Sequence, residues 1–247
     1  MWLVAPLLGL VAAAYASVGL GGGTAYLSLL ALWDSHPDSL RPVAWTLNCV
    51  VSAIGFANYY RRGHFDWRRA WAFLVSGLIG GACGSALPLD VALFQILLTV
   101  TLGAVGLRML TGGKAEPAAE LRRAGWIAPL ALGGAVGFVS GVIGIGGGII
   151  LGPIVIALGW LDTKRTAAMT SIYIFVSSAG ALGGHFARGG SLDLDQIAAF
   201  GVFVAVGGWV GARWGAGKAK PKTLRRVFGV VALSVAIKLA IGMLWTA

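Results

Sequence analysis

Ser17-Val-Gly-Leu-Gly-Gly-Gly-Thr24 decides how this chain folds, because the chain nearly repeats it as Val142-Ile-Gly-Ile-Gly-Gly-Gly-Ile149, 125 residues later. Both copies lie inside long apolar runs. Three consecutive glycines hold a regular helix poorly, each costing about 1 kcal/mol relative to alanine. Within lipid, a broken helix persists only where it is buried in protein or lines a cavity. The two breaks are therefore expected to face each other and to form one anion site.

Composition sets the environment. The chain has 247 residues, 57% hydrophobic and 11% charged, with mean hydropathy +0.83. A soluble domain carries about 25% charged residues, so the expected fold class is an all-α polytopic membrane protein. The 39 glycines suit close helix packing in lipid. Met1-Trp2 opens the first apolar run with no basic n-region, so no cleaved signal peptide is expected. Cys49 and Cys83 fall in apolar runs and read as buried free thiols, without metal or redox spacing. The net charge of +10 reads as basic cytoplasmic loops rather than a nucleic-acid surface.

Apolar segments run over roughly 2–33, 43–60, 70–89, 91–110, 125–160, 166–187, 195–214 and 224–246. The first and fifth exceed one span of about 20 residues, and each contains a glycine break. The halves on either side of a polar linker match in order. Ala44-x-Thr46 resembles Ala168-x-Thr170, and Ser52-Ala-Ile-Gly55 resembles Ser177-Ser-Ala-Gly180. Gly63-His-Phe-Asp66 resembles Gly190-Ser-Leu-Asp193, and Gly80-Gly-x-x-Gly84 matches Gly207-Gly-x-x-Gly211. Arg108 and Lys238 also correspond. The expected organisation is a first repeat over 1–110, a cytoplasmic linker over 111–124 and a second repeat over 125–247, forming one integral membrane domain.

Charge sets the parity. Eight simple spans would divide the Lys and Arg residues ten against nine. If each glycine-broken segment enters and leaves on one side, sixteen fall on one face and only Arg41, Arg188 and Lys238 on the other. Cytoplasmic loops carry the Lys/Arg excess, so the second arrangement is preferred, with both termini periplasmic. Each half then makes three net crossings. The expectation is two inverted-topology repeats, each with a glycine-broken first helix, re-entrant or discontinuous, followed by three transmembrane helices. Residues 24–33 are short for a full crossing, so that return arm is expected to be partly extended or part of a tilted pair.

The helix that begins after each break offers N–H groups without partners and the positive end of its dipole. Gly21, Gly22, Gly23 and Thr24, with Gly146, Gly147 and Gly148, are therefore candidate substrate contacts. The next helix in each half adds neutral donors: Thr46, Asn48 and Ser52 in the first, Thr170, Ser171, Tyr173 and Ser177 in the second, with Asn58 and Ser178 as further polar residues. Asn48 and Ser52 are four apart and share a helix face, as do Tyr173 and Ser177. No catalytic residue, metal ligand or cofactor is indicated. His36, His64 and His185 lie at loops or helix ends, Asp90 at an interface, and Lys238 can snorkel outward. Gly77-x-x-x-Gly81, Gly133/Gly137/Gly141 and Gly207/Gly211/Gly215 read as packing stripes, within the bundle or between protomers of a homodimer. Trp2, Trp33, Trp67, Trp71, Trp126 and Trp245 read as interfacial anchors.

At Gly19-Leu-Gly-Gly-Gly-Thr24, Gly144-Ile-Gly-Gly-Gly-Ile149, Ala44-x-Thr46 and Ala168-x-Thr170-Ser171, the chain resembles the sulfite exporter TauE/SafE family, also called TSUP. The resemblance covers essentially the whole chain. It implies transport of sulfite, sulfonates or sulfoacetate across a bacterial inner membrane. One departure is Asn48, where the second half offers Ile172 or Tyr173. The function expected is secondary transport of small sulfur-containing anions by alternating access, with the anion and the lipid bilayer as partners and no nucleic acid. Transport of another small anion, a carboxylate or a metal cation is a rival reading. An intramembrane enzyme is the rival of a different class: Ser140-Gly141 looks superficially like a rhomboid nucleophile, without the preceding glycine or a deep histidine.

Overall fold

The computed structural model describes residues 4–30, 37–86 and 125–246, with a few helical positions between 99 and 111. Trp2, Trp33, His36, Asp90, Arg108 and the 112–124 linker lie outside the described residues, as do the side chains of Thr24 and Trp245. Among the described residues all regular structure is helical. The first half contributes α1 (Val4–Ala16), α2 (Gly23–Leu30), α3 (Pro37–Tyr60) and α4 (Trp67–Gly84). The second contributes α5 (Ile127–Ile143), α6 (Gly148–Ala157), α7 (Thr163–Ala187), α8 (Leu194–Ala216) and α9 (Pro221–Thr246). Three stretches are long and apolar enough to cross a membrane, Leu40–Tyr60, Thr163–Ala187 and Leu194–Ala216. Large apolar side chains such as Leu10, Ile79, Val202, Val206 and Ile241 point outward, as the lipid-facing surface of such a bundle requires.

Local chemistry sets the boundaries. Asp66, Asp162 and Asp193 cap α4, α7 and α8 by accepting backbone N–H bonds from Arg68, from Lys164 and Arg165, and from Gln196. The Asp162 cap lets α7 start at Thr163, earlier than the apolar run from 166 implies. Similarly α3 begins at Pro37, the first helical position that proline suits, and carries Arg41 and Pro42 inside its second turn, where the missing N–H of Pro42 removes one intrahelical bond. Of the two forms expected for the arm over 24–33, partly extended or a short helix of a tilted pair, the described part is a helix through Leu30. Cys83 is exposed on the outer face of α4 rather than buried, and Cys49 is half-buried. The tight-turn glycine corresponding to Gly63 is Gly189, not Gly190: Gly63 and Gly189 both have positive φ, 72° and 78°.

Glycine neighbours fix the helix directions. Gly77 lies against Gly137 and Gly81 against Gly141, so α4 and α5 run parallel. Gly211 lies against Ala13 and Gly215 against Ser17, so α1 and α8 run parallel. Val51 and Tyr59 of α3 follow Gly208 and Gly215 of α8 in the same sense, and Tyr173 and Ser177 of α7 follow Gly77 and Gly81 of α4. In contrast, α3 and α7 cross antiparallel: Cys49 faces Phe175, while Gly55 faces Ser171. The pairings α4–α5 and α1–α8, and α4–α7 and α3–α8, exchange with each other when the halves are exchanged.

Of the four basic groups that the charge count assigns to one face, three meet in the structure, and the fourth, over 108–123, lies almost wholly outside the described residues. Arg62 Nη1 donates to the Arg213 carbonyl at 2.8 Å, and Lys164 Nζ donates to that of Gly217 at 3.3 Å. Residues 61–69, 164–165 and 213–226 thus gather at one pole, which eight simple spans would not allow. At the opposite pole Arg188 Nη2 donates to the Ser85 carbonyl at 2.6 Å.

The parallel pairs touch through backbone. A Cβ on Gly211 would fall on the Ala13 carbonyl, whereas one on Gly201 of the same helix would meet nothing within 4 Å. Gly211→Val should therefore destabilise the protein by about 2 kcal/mol or more, lowering the detergent-solubilised melting temperature by about 5 °C or more. Gly201→Ala should leave it unchanged or slightly raised.

Candidate functional site

The first break is built as a helix stop followed by a start. Leu20 N–H donates to the Tyr15 carbonyl at 2.9 Å and Gly19 N–H to that of Ala16 at 3.1 Å. This is the Schellman arrangement, with Gly19 at φ 71° in the left-handed position it demands. In the second break, Gly144 at φ 88° donates to the Ser140 carbonyl at 2.8 Å, the simpler left-handed cap. The chain then restarts. Tyr26 N–H bonds Gly22 and Ile150 N–H bonds Gly147, so the amides of Gly23 to Ala25 and of Gly148 and Ile149 precede the first bonded turn of α2 and α6. Gly19–Gly23 and Gly144–Gly148 are all buried.

Both breaks converge on two side chains at the middle of the long helices. A Cβ on Gly21 would meet Asn48 Oδ1 at 2.6 Å and Ile174 Cγ2 at 3.0 Å. One on Gly146 would meet Asn48 Nδ2 at 2.8 Å and Ile174 Cγ2 at 3.2 Å. Gly23 sits against Asn48 Nδ2 and the Ile145 carbonyl, and Gly148 against Ile174. The residue opposite Asn48 is therefore Ile174, one position beyond the Tyr173 that spacing offers. The centre is closed in this conformation, with Asn48 0% exposed and Ile174 1%.

Asn48 also stands apart chemically. Neither its Nδ2 nor its Oδ1 has a hydrogen-bond partner, although a buried unsatisfied polar group costs about 1–3 kcal/mol. The other candidates spend their hydrogens on backbone. Thr46, Ser52 and Ser177 donate to the carbonyls of Pro42, Cys49 and Ile174 in their own helices. Thr170 and Ser171 each carry one hydroxyl hydrogen, shared between the Gly19 carbonyl, at 3.0 and 3.3 Å, and a carbonyl of their own helix, that of Thr166 at 2.9 Å and that of Ala167 at 2.8 Å, so they brace the first break. Tyr173 OH donates to the Gly133 carbonyl at 2.6 Å and its ring borders Gly147. The structure thus brings Gly21, Gly23 and Gly146 to Asn48 and Gly148 to Ile174, whereas Gly22 faces Tyr26 and Gly147 faces Val136 and Tyr173. Ser140, the residue of the enzyme reading, donates to the Gly137 carbonyl at 3.0 Å.

Sequence reasoning passed over Tyr26 and Trp45 as site candidates. Tyr26 OH and Trp45 Nε1 are buried without partners, as is the hydroxyl of Ser178, a polar residue the sequence had already singled out. The Tyr26 ring packs under Gly22. Trp45 precedes Asn48 by three residues on the same face of α3, and its ring lies 6.1 Å from that of His185. Aromatic residues in an apolar run carry no signal that separates them from core, so only their lack of partners marks them.

The two hairpin tips are held differently. Gly19 presses on the Ala167 backbone, and Tyr59 OH donates to the neighbouring Ser17 carbonyl at 2.5 Å. Gly144 instead meets the side chains of Arg41 and Leu27. Among the described residues no group of three or more His, Cys, Asp or Glu side chains gathers.

Comparison with known proteins follows this geometry. A family model described as sulfite exporter TauE/SafE matches residues 4–239. The probable membrane transporter protein y4hK of Sinorhizobium fredii is 31% identical over 232 residues, covering 93% of this chain and 94% of that protein. Probable membrane transporter proteins of two Xylella fastidiosa strains are each 30% identical, over 244 and 241 residues, covering 93% of this chain and 90% of theirs. No solved structure matches.

The hydrogen-bond pattern separates bracing from recognition. Thr170→Val should lower the ligand-free stability by about 1 kcal/mol, since it removes the bond to Gly19. Asn48→Leu removes an unsatisfied amide at similar volume and should leave the melting temperature unchanged or raised. Thermal unfolding of the two purified variants without added anion checks both.

Proposed function

The chain belongs to the sulfite exporter TauE/SafE family and is a membrane transporter, and from that premise we propose that it moves small sulfur-containing anions of the sulfite, sulfonate or sulfoacetate type as a secondary transporter. The observation that carries this reading is the Asn48 amide, buried without partners against the breaks of both halves. It stands beside the unpaired first amides of α2 and α6, where helix dipoles favour negative charge. Neutral donors in a dry site hold an oxyanion without a countercharge that would trap it.

In this reading the halves are inverted-topology repeats. The antiparallel crossing of α3 and α7 supports it, as does the exchange of helix pairings between halves. Each glycine-broken pair, α1–α2 and α5–α6, is a re-entrant hairpin. In the second pair, Gly148 lies at Ile174 and Gly152 at Thr170, so α6 runs back along α7 toward the basic pole. That pole is the cytoplasmic one in a bacterial inner membrane, and both termini are periplasmic. Alternating access is one half rocking on the other about the Asn48–Ile174 centre, so that the hairpins part first toward one face and then the other. Gly21–Thr24, Gly146–Gly148 and Asn48 contact the substrate, while Thr170, Ser171 and Tyr173 hold the breaks in place.

A carboxylate fits the same donors, and the test separates the two. In proteoliposomes, the purified protein should exchange sulfite or a small sulfonate in preference to acetate, and those anions should raise its melting temperature. Asn48→Leu should remain folded while the anion-dependent shift and the flux fall at least tenfold. Preference for acetate would transfer the reading to carboxylates, and the absence of any anion effect would remove it.

A further inference from the structure

The walls of the closed centre differ although repeats supply them. Asn48 projects from the middle of α3 and Ile174 from the middle of α7, and Gly21 and Gly146 both lie between them. One wall therefore ends in an amide, the other in an sec-butyl group. The buried polar side chains described are Ser17, Asn48, Ser52, Ser140, Thr163, Thr166, Thr170, Ser171, Ser177 and Ser178. Every one is neutral, and most of the hydroxyls are already bonded to backbone carbonyls.

Charge number then matters. The cost of transferring an ion from water into a low-dielectric interior grows with the square of its charge. Side-chain and backbone amides can offset one negative charge, as backbone N–H groups do in other anion sites. A second charge meets about four times the transfer cost with no added cation. Ile174 in turn offers a surface on which an alkyl group gains and a second ionic head loses.

We propose that the site selects singly charged anions carrying a short apolar end. The oxyanion head is held by Asn48 and the first amides of α2 and α6, and the apolar end rests on Ile174. The proposal relies on the reading of this centre as the substrate site and narrows it to simple sulfonates and singly protonated sulfite, so that doubly charged sulfoacetate drops out. An oxyanion that can take up a proton is bound in its singly charged form.

Melting curves of the full-length protein over a concentration series of methanesulfonate, ethanesulfonate and sulfate test this. Both sulfonates should stabilise the protein and sulfate should not. Ethanesulfonate should bind about fourfold more tightly than methanesulfonate, the gain expected for one buried methylene. Ile174→Asn should abolish that fourfold difference while methanesulfonate still binds, and Ile174→Ala should shrink it if the amide disturbs folding. Sulfate stabilising the protein as strongly as methanesulfonate would overturn the proposal while leaving anion transport intact. A tail preference unchanged in both variants would likewise remove Ile174 from the site. No stabilisation by any of the three would count against the substrate site itself, and the narrower proposal would fall with it.

Discussion

A helix that stops inside a bilayer releases peptide groups that lipid cannot solvate, and this constraint organises the whole molecule. Here the stop occurs twice, at Gly19 and Gly144. The freed amides are enclosed by the middles of α3 and α7 rather than by water. Enclosure demands that α1, α2, α5 and α6 lie close against the long helices. The α1–α8 and α4–α5 pairs accordingly meet backbone to backbone at Gly211 on Ala13 and at Gly141 on Gly81. The glycine stripes and the glycine breaks are two consequences of one requirement. Contacts of this kind bring Cα hydrogens near carbonyl oxygens, a weak interaction repeated along the seam.

The two breaks are alike in sequence and are held differently. The first tip is fastened by Thr170, Ser171 and Tyr59, whose hydroxyls take the carbonyls of Gly19 and Ser17. The second tip lies under the side chains of Arg41 and Leu27. Side chains rotate without moving a helix, whereas the Gly19 contact with Ala167 opens only if a hairpin shifts. The two tips are thus held by different materials, backbone at Gly19 and side chains at Gly144. Asn48 opposite Ile174 is the same divergence at the centre.

Asn48 is also where stability and recognition part. Two unsatisfied polar atoms in a closed interior oppose folding, and a leucine there would suit the fold better. Groups that violate local rules in this way concentrate at functional sites. The hydroxyls around it illustrate the opposite behaviour, since their bonds back to the helix remove the penalty and also remove them from ligand chemistry.

The membrane class, the two interruptions at the glycine runs and the meeting of residues 61–69, 164–165 and 213–226 at one pole were legible in the residues. Each depends on local or summed quantities: hydropathy over a span, three adjacent glycines and a charge count. Which polar side chain is left with a free hydrogen was not legible. Thr170 and Asn48 look alike as polar residues in an apolar helix. One finds the Gly19 carbonyl 151 residues away and the other finds nothing. The counterpart of Asn48 likewise emerged only as Ile174, because the antiparallel crossing of α3 and α7, and not the repeat spacing, decides which side chain meets both breaks. Hydrogen-bond satisfaction is a property of the packed neighbourhood, so only the tertiary structure could separate the residues that hold the breaks from the one that faces them unpaired.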